Sequence, residues 1–166
     1  MTRVLCCSDL QIGAGAGYLE PKYGPGSRLH DHQEAWVECV RLAIDHSART
    51  IIVAGDVFEE KRPGPTALLA FHRGVALARD HGIQVVAIAG NHDVRSADEP
   101  TALEVFGDIA GDDKLSAPED GLCRVHRVPG WHWLDDETAY AALPWTTIGG
   151  LAALRGGGDR DLLHAE

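Results

Sequence analysis

Three short apolar runs punctuate the first ninety positions: "RVLCC" (3–7), "TIIVA" (50–54) and "IQVVAIA" (83–89). β-Branched residues recur in them, and each stops where the chain turns polar or reaches glycine, so they read as strands. Their near-continuous apolar character suits parallel strands covered on both faces. Two helical patterns lie between them. In 31–48, Trp36, Val40, Ala43 and Ile44 share one face, and Asp31 with Glu34 resembles a capping box. In 65–81, Pro65 suits the first helical position and Gly82 a C-terminal cap. Its apolar stripe is read as Leu68, His72, Val75 and Arg79, beside Leu69 and Ala76. The order strand–helix–strand–helix–strand predicts a parallel sheet with helical crossovers.

Beyond residue 95 the pattern changes. A helix is expected from about Pro100 to Ile109, stopped by Gly111. "LCRVHRV" (122–128) alternates and "TAYAALPW" (138–145) is a further strand candidate, with the turn-like "PGWHWLDDE" between them. Together they predict an antiparallel pair. The tail "GGLAALRGGGDRDLLHAE" is Gly-rich and then helical in flavour. The Gly- and Pro-rich stretch 13–26 forms a long loop after the first strand, of the kind that tends to be functional or mobile in compact domains.

Length and composition narrow the class. With 166 residues, 45% of them apolar, the chain has enough material for one domain with a substantial core and none of the marks of disorder. Its apolar runs are too short to span a bilayer, and "MTRVLCC" is too quickly polar for a signal peptide. A soluble cytoplasmic protein is expected. Cys6, Cys7, Cys39 and Cys123 match no zinc spacing and are expected to be buried structural thiols. The net charge of −10 argues against a stand-alone nucleic-acid binder. It leaves room for a metal-dependent enzyme acting on phosphates, where bound cations supply the positive charge.

The chemistry gathers at the strand ends. In open α/β sheets, ligands bind outside the carboxyl ends of the strands. Asp9 and Gln11 follow the first strand, Asp56 in "AGDVFEE" the second, and Asn91, His92 and Asp93 in "AGNHDV" the third. The separations, 47 residues (9 to 56) and 35 (56 to 91), each accommodate a crossover helix. Any one of these could be an ordinary polar turn. Three in order on consecutive parallel strands point to a two-metal phosphoester site, in which ions about 3.5–4 Å apart clamp an in-line displacement. Asp56, from a central strand, suits the bridging ligand. Asp9 and the Gln11 amide oxygen would complete one ion, and the Asn91 amide oxygen would bind the other. Mn²⁺ accepts such an oxygen-rich set. Gly55 and Gly90, each just before a ligand, allow a sharp turn or a close approach. His92 diverges from Asn91 and is better placed to act on substrate, with Asp93 orienting it by a hydrogen bond.

These blocks resemble those of the calcineurin-like metallophosphoesterase superfamily: Asp-x-His, Gly-Asp and Gly-Asn-His-(Asp/Glu). Within it, "SDLQIG" and the segment from "AGDVFEE" to "VVAIAGNHD" resemble the nuclease subunit of the SbcCD-type DNA double-strand-break repair complex. The likeness is strong over about residues 3–95, with "ALPW" (142–145) a weaker match. It implies a metallophosphoesterase-type α/β sandwich, with a mostly parallel sheet flanked by helices. It also implies Mn²⁺-dependent exonuclease and endonuclease activity on DNA with two metal ions, and an SbcC-type ATPase partner. A homodimer is left open, and no membrane partner is expected.

Two departures stand out. Gln11 takes the place of the usual histidine, so an altered first-metal site is expected. The later Gly-His-x-His block of the family is missing, and His164 in "DLLHAE" reads better as part of a helix than as the lone later ligand. His126 and His132 are read as surface or core histidines. The chain is therefore expected to be one domain over 1–166, the N-terminal part of a nuclease domain cut short at its C-terminus. Two other readings stay open: a small-molecule phosphodiesterase or nucleotide pyrophosphatase of the same superfamily, and an inactive fragment with an incomplete site. Trp131 and Trp133 share a face if extended, where packing is favoured over base stacking. Lys61 and Arg62 near the metal edge are read as a solvated turn.

Overall fold

In a computed structural model, residues 2–15, 27–95, 99–109, 123–127 and 129–145 are described. The three apolar runs become β1 (Val4–Cys7), β2 (Thr50–Ala54) and β3 (Gln84–Ile88). Helices α1 (Arg28–Asp45) and α2 (Pro65–Asp80) connect them. With β4 (Gly107–Ile109) and β5 (Cys123–His126), the strands form a five-stranded sheet in the order β1-β2-β3-β5-β4. Every pairing in it is parallel. The α/β class and the parallel sheet flanked by helices are as the pattern predicts.

Alternation along the strands assigns the two faces of the sheet. Ile51, Val53, Val85, Ala87, Cys123 and Val125 join the main core with α1 and α2. Trp36 of α1 lies stacked on Phe71 of α2, ring centroids 5.5 Å apart, and its Nε1 donates to the Phe71 carbonyl at 3.0 Å. A Cβ on Gly74 would lie 2.1 Å from Trp36 Nε1, so α2 can take the indole only because residue 74 is glycine. This corrects the stripe read for α2. Its buried face is Ala67, Ala70, Phe71, Gly74, Val75 and Ala78, whereas Leu69 and Arg79 are exposed. Small residues carry almost no hydrophobic signal, yet they are what close helix packing requires.

Helix ends follow local chemistry. Pro65 and Gly82 bracket α2 as expected, and Gly82 takes the left-handed φ of +68°. α1 starts three residues before the expected Asp31–Glu34 box. Its N-cap is Ser27, whose Oγ accepts from the His30 amide at 3.1 Å.

Two further expectations are corrected. The helix expected over 100–109 is one turn of 3₁₀ helix (Ala102–Phe106) running straight into β4. Leu103 and Phe106 are buried in the main core, and strand 107–109 gains a parallel partner in β5. Second, 123–126 does not pair with the last strand candidate. It inserts between β3 and β4, and β7 (Ala139–Ala142) pairs antiparallel with β6 (Gly130–Trp133), which lies inside the expected turn. The alternation of "LCRVHRV" fits a strand with two different covers. Cys123 and Val125 face the helices, and the ring of His126 meets the hairpin. Gly111 and the tail from 146 on lie outside the described residues. No helix among the described residues is long and apolar enough to cross a membrane. Of the thiols, Cys123 is buried but Cys6 is exposed, against expectation. Burial pushes the Cys7 and Cys123 thiols up to about 12, which makes both poor nucleophiles.

The β6–β7 hairpin is held to the sheet through His126. Its Nε2 lies 2.7 Å from the Tyr140 hydroxyl, and its ring centroid is 3.9 Å from that of His132. Burial first, then His132 and Arg124, push the His126 imidazole down to about 4. The folded state thus holds this ring neutral, while the unfolded chain protonates it near its ordinary value of 6.5. Its contribution to stability is complete above pH 6.5 and is lost as the pH falls toward 4. Over that window a loss of about 2–3 kcal/mol is expected. Thermal melts between pH 7 and 4 measure it, and His126→Gln should flatten the slope. An unchanged slope in that variant would assign the acid sensitivity elsewhere.

Candidate metal centre

β1 ends at Cys7 and β2 at Ala54, but the two chains do not separate there. The Asp9 amide donates to the Gly55 carbonyl (3.1 Å), Gln11 to Asp56 (3.0 Å) and Ile12 to Val57 (2.9 Å). Ile12 and Phe58 then pair again in a parallel bridge, and both are fully buried. The two strand ends therefore make matched excursions, pinned at both ends by a β ladder.

The excursions require unusual backbone. Asp9, Gln11 and Asp56 have φ of +54°, +40° and +52°. Among the described residues, Ser47 is the one other non-glycine with positive φ. Aspartate enters this region at modest cost, whereas glutamine does so rarely. Strain of this kind persists where the surroundings over-determine it and clusters at functional sites. Gly55, at φ +90°, completes the turn before Asp56.

The third strand end is stapled onto the second. Asp93 is almost fully buried, and its carboxylate accepts from Gly90 N (2.9 Å), Val57 N (3.2 Å) and Phe58 N (3.1 Å). Burial raises its pKa against the pull of these three donors. In the other direction, Asp56 Oδ1 accepts from the His92 amide at 3.0 Å. Gly90 makes the fit possible, since a Cβ there would sit 2.2 Å from Asp56 Oδ1 and 2.3 Å from Asp56 N.

His92 is oriented by a group the sequence does not mark. Its Nδ1 lies 2.7 Å from the Glu59 carbonyl. A carbonyl can only accept, so Nδ1 carries the proton and Nε2 is left for a ligand or substrate. That hydrogen bond is the main cause of the raised His92 pKa, reinforced by the charges of Asp56, Glu59 and Asp93. The expected Asp93–His92 hydrogen bond is thus corrected: Asp93 holds the backbone of the turn, and Glu59 orients the imidazole. Asp93 is a positioning residue here.

All six residues singled out in the sequence meet at this one edge of the sheet. Asp9 and Asn91 are exposed, while Gln11 and Asp56 are half-buried. Two carboxylates and two side-chain amides make an all-oxygen donor set, which suits a hard or borderline divalent ion. The absence of a Cβ at residue 90 leaves room for the Asp56 carboxylate at this edge, and the His92 amide orients it; by chemical type the donors present suit such an ion. No group of three or more His, Cys, Asp or Glu side chains that could hold a metal occurs among the described residues. Half of this donor set is Gln and Asn. His126 does not add to it, being a core residue bonded to Tyr140, as expected of a core histidine; His164 lies outside the described residues. Lys61 and Arg62 are exposed, as expected of a solvated turn. The "ALPW" segment reaches the same edge by a contact the sequence does not mark: the Trp145 amide donates to the Ala89 carbonyl at 2.9 Å and fixes the chain after β7 beside the third strand end.

The family model of the calcineurin-like phosphoesterases matches residues 2–162 of the chain. No curated protein matches it.

Proposed function

The chain belongs to the calcineurin-like phosphoesterase family, which makes it a metal-dependent phosphoesterase in general terms, and from that premise we propose that it hydrolyses phosphodiesters of DNA as a nuclease subunit of SbcCD type. The observation that carries the reading is the three-stranded clamp at the sheet edge, where Asp9, Gln11 and Asp56 are held in left-handed backbone beside the Gly90–Asp93 turn. Asp9, Gln11, Asp56 and Asn91 would hold two divalent ions, proposed to be Mn²⁺. When bound, such ions polarise the phosphoryl group and lower the pKa of attacking water. The chain's own part is to fix the donors and to present His92. With Nδ1–H anchored on Glu59, Nε2 can stabilise charge on a phosphoryl oxygen or pass a proton to the leaving oxygen. DNA and an SbcC-type ATPase are the proposed partners.

The net charge of −10 favours a second reading, a small-molecule phosphodiesterase or nucleotide pyrophosphatase. Isothermal calorimetry of Mn²⁺ binding to the full chain, followed by hydrolysis of duplex DNA and of nucleotide diphosphates, separates the cases. Two sites with DNA cleavage are expected. Cleavage of nucleotide diphosphates alone would favour the second reading. No binding, or one weak site, would make the chain a non-catalytic fragment.

A further inference from the structure

At the amino ends of the strands, opposite the metal edge, a cavity of about 300 Å³ opens between Thr2, Arg3, Ser47 and Arg49. The backbone sets its basic wall. The β1–β2 ladder runs one step past both strands: the Arg49 amide donates to the Arg3 carbonyl at 2.9 Å, just before the Val4–Thr50 pair. Gln84 N donates in turn to the Arg49 carbonyl at 3.0 Å. Arg3 and Arg49 are therefore side by side on neighbouring chains about 4.8 Å apart. Like charges so placed repel each other. Among the described residues, neither guanidinium forms an ion pair with a carboxylate. Arg3 Nη1 donates to the His46 carbonyl at 2.8 Å and so caps the end of α1. The Arg49 guanidinium has no partner among the described residues.

Ser47 stands in this cavity at a conformational cost. Both helices end in the same turn. After α1, Ser47 N donates to Ile44 O (2.9 Å) and Ala48 N to Ala43 O (2.8 Å). After α2, Gly82 N donates to Arg79 O (2.9 Å) and Ile83 N to Ala78 O (2.9 Å). The left-handed φ is +53° at Ser47 and +68° at Gly82. Glycine is the ordinary occupant of that position, yet the turn that lines the cavity carries a hydroxyl instead. On the fourth side, the Thr2 hydroxyl donates to the Asp135 carboxylate, which leaves the arginine–Ser47 side for an anion. Guanidinium forks match phosphate oxygens, and a serine hydroxyl adds a further donor. The volume is at the small end of ligand pockets, and a net charge of −10 opposes a polyanion far more than a small one. We propose that this cavity binds a small phosphate-bearing molecule through Arg3, Arg49 and Ser47, at a site separate from the metal edge.

Calorimetric titration of the full, metal-free chain with inorganic phosphate and with adenosine monophosphate, in about 0.15 M chloride, tests this. One site is expected. Tighter binding of the nucleotide would make the ligand a phosphate monoester, and tighter binding of phosphate would make it the free ion. Arg49→Gln should weaken binding by about 10-fold or more. Arg49 is exposed, so the fold and metal-dependent hydrolysis should be unchanged in that variant. Ser47→Gly should weaken binding by about 3-fold or more while raising the unliganded melting temperature by about 2 °C. Circular dichroism confirms that each variant folds. Four results overturn the proposal: no heat from either ligand; binding indifferent to either substitution; binding abolished by Asp56→Asn, which would put the phosphate at the metal edge; or heat from a single-stranded oligonucleotide alone.

Discussion

Asp56→Asn is expected to lower metal-dependent phosphoester hydrolysis by about 10²–10³-fold or more while leaving the fold intact. Asparagine enters the left-handed region about as readily as aspartate, so φ of +52° at residue 56 is tolerated. Its carbonyl oxygen can still accept from the His92 amide, as Asp56 Oδ1 does at 3.0 Å. What is lost is the negative charge at the end of β2, the strand that lies between β1 and β3. Alanine is a poorer probe, because it removes the hydrogen bond and adds backbone strain of about 1 kcal/mol. Steady-state hydrolysis, Mn²⁺ calorimetry and a thermal melt on the asparagine variant together make the measurement. Wild-type activity in a folded Asp56→Asn protein would end the assignment of this edge as the metal centre.

Gly90→Ala should disable the site without touching a ligand. The added methyl would lie 2.2 Å from Asp56 Oδ1 and 2.3 Å from Asp56 N. One of those atoms is backbone, so relief requires the second strand end to move away from the third. Gly90 N also donates to Asp93 at 2.9 Å, so the staple loosens at the same time. Displacement of catalytic groups by about 1 Å costs on the order of 10²-fold in rate, and overpacking costs about 1–3 kcal/mol in stability. Gly74→Ala is the matched control. Its methyl would collide with Trp36 at 2.1 Å, in the helix layer and away from the ligand edge. It should lower the melting temperature and leave Mn²⁺ affinity unchanged. If Gly90→Ala binds metal and turns over like the unsubstituted protein, the close approach of the two strand ends is not what organises the site.

What could be read from the chain alone follows a simple division. β2 and β3 were legible because strands buried on both faces must be apolar along their whole length, and β1 by the same apolar run although it lies at the sheet edge with Cys6 exposed. The ends of α2 were legible because Pro65 and Gly82 act through their own backbone preferences. That the six candidate residues converge was legible because parallel strands deliver their carboxyl ends to one edge, so residue types just past three strands suffice to bring them together. The rest depended on partners distant in the chain. Segment 107–109 is a strand because β5 offers it an edge, and β6 emerges from an expected turn because β7 pairs with it. Gly74 faces inward because an indole 38 residues earlier needs the space. At the site, the sequence supplied donors but not their geometry. Positive φ at Asp9, Gln11 and Asp56, the Asp93 staple and the Glu59 carbonyl on His92 arise only when two strand ends run side by side and re-pair at Ile12 and Phe58. Side-chain chemistry is written residue by residue, but a hydrogen bond between backbones 45 or 46 residues apart has no residue type to announce it.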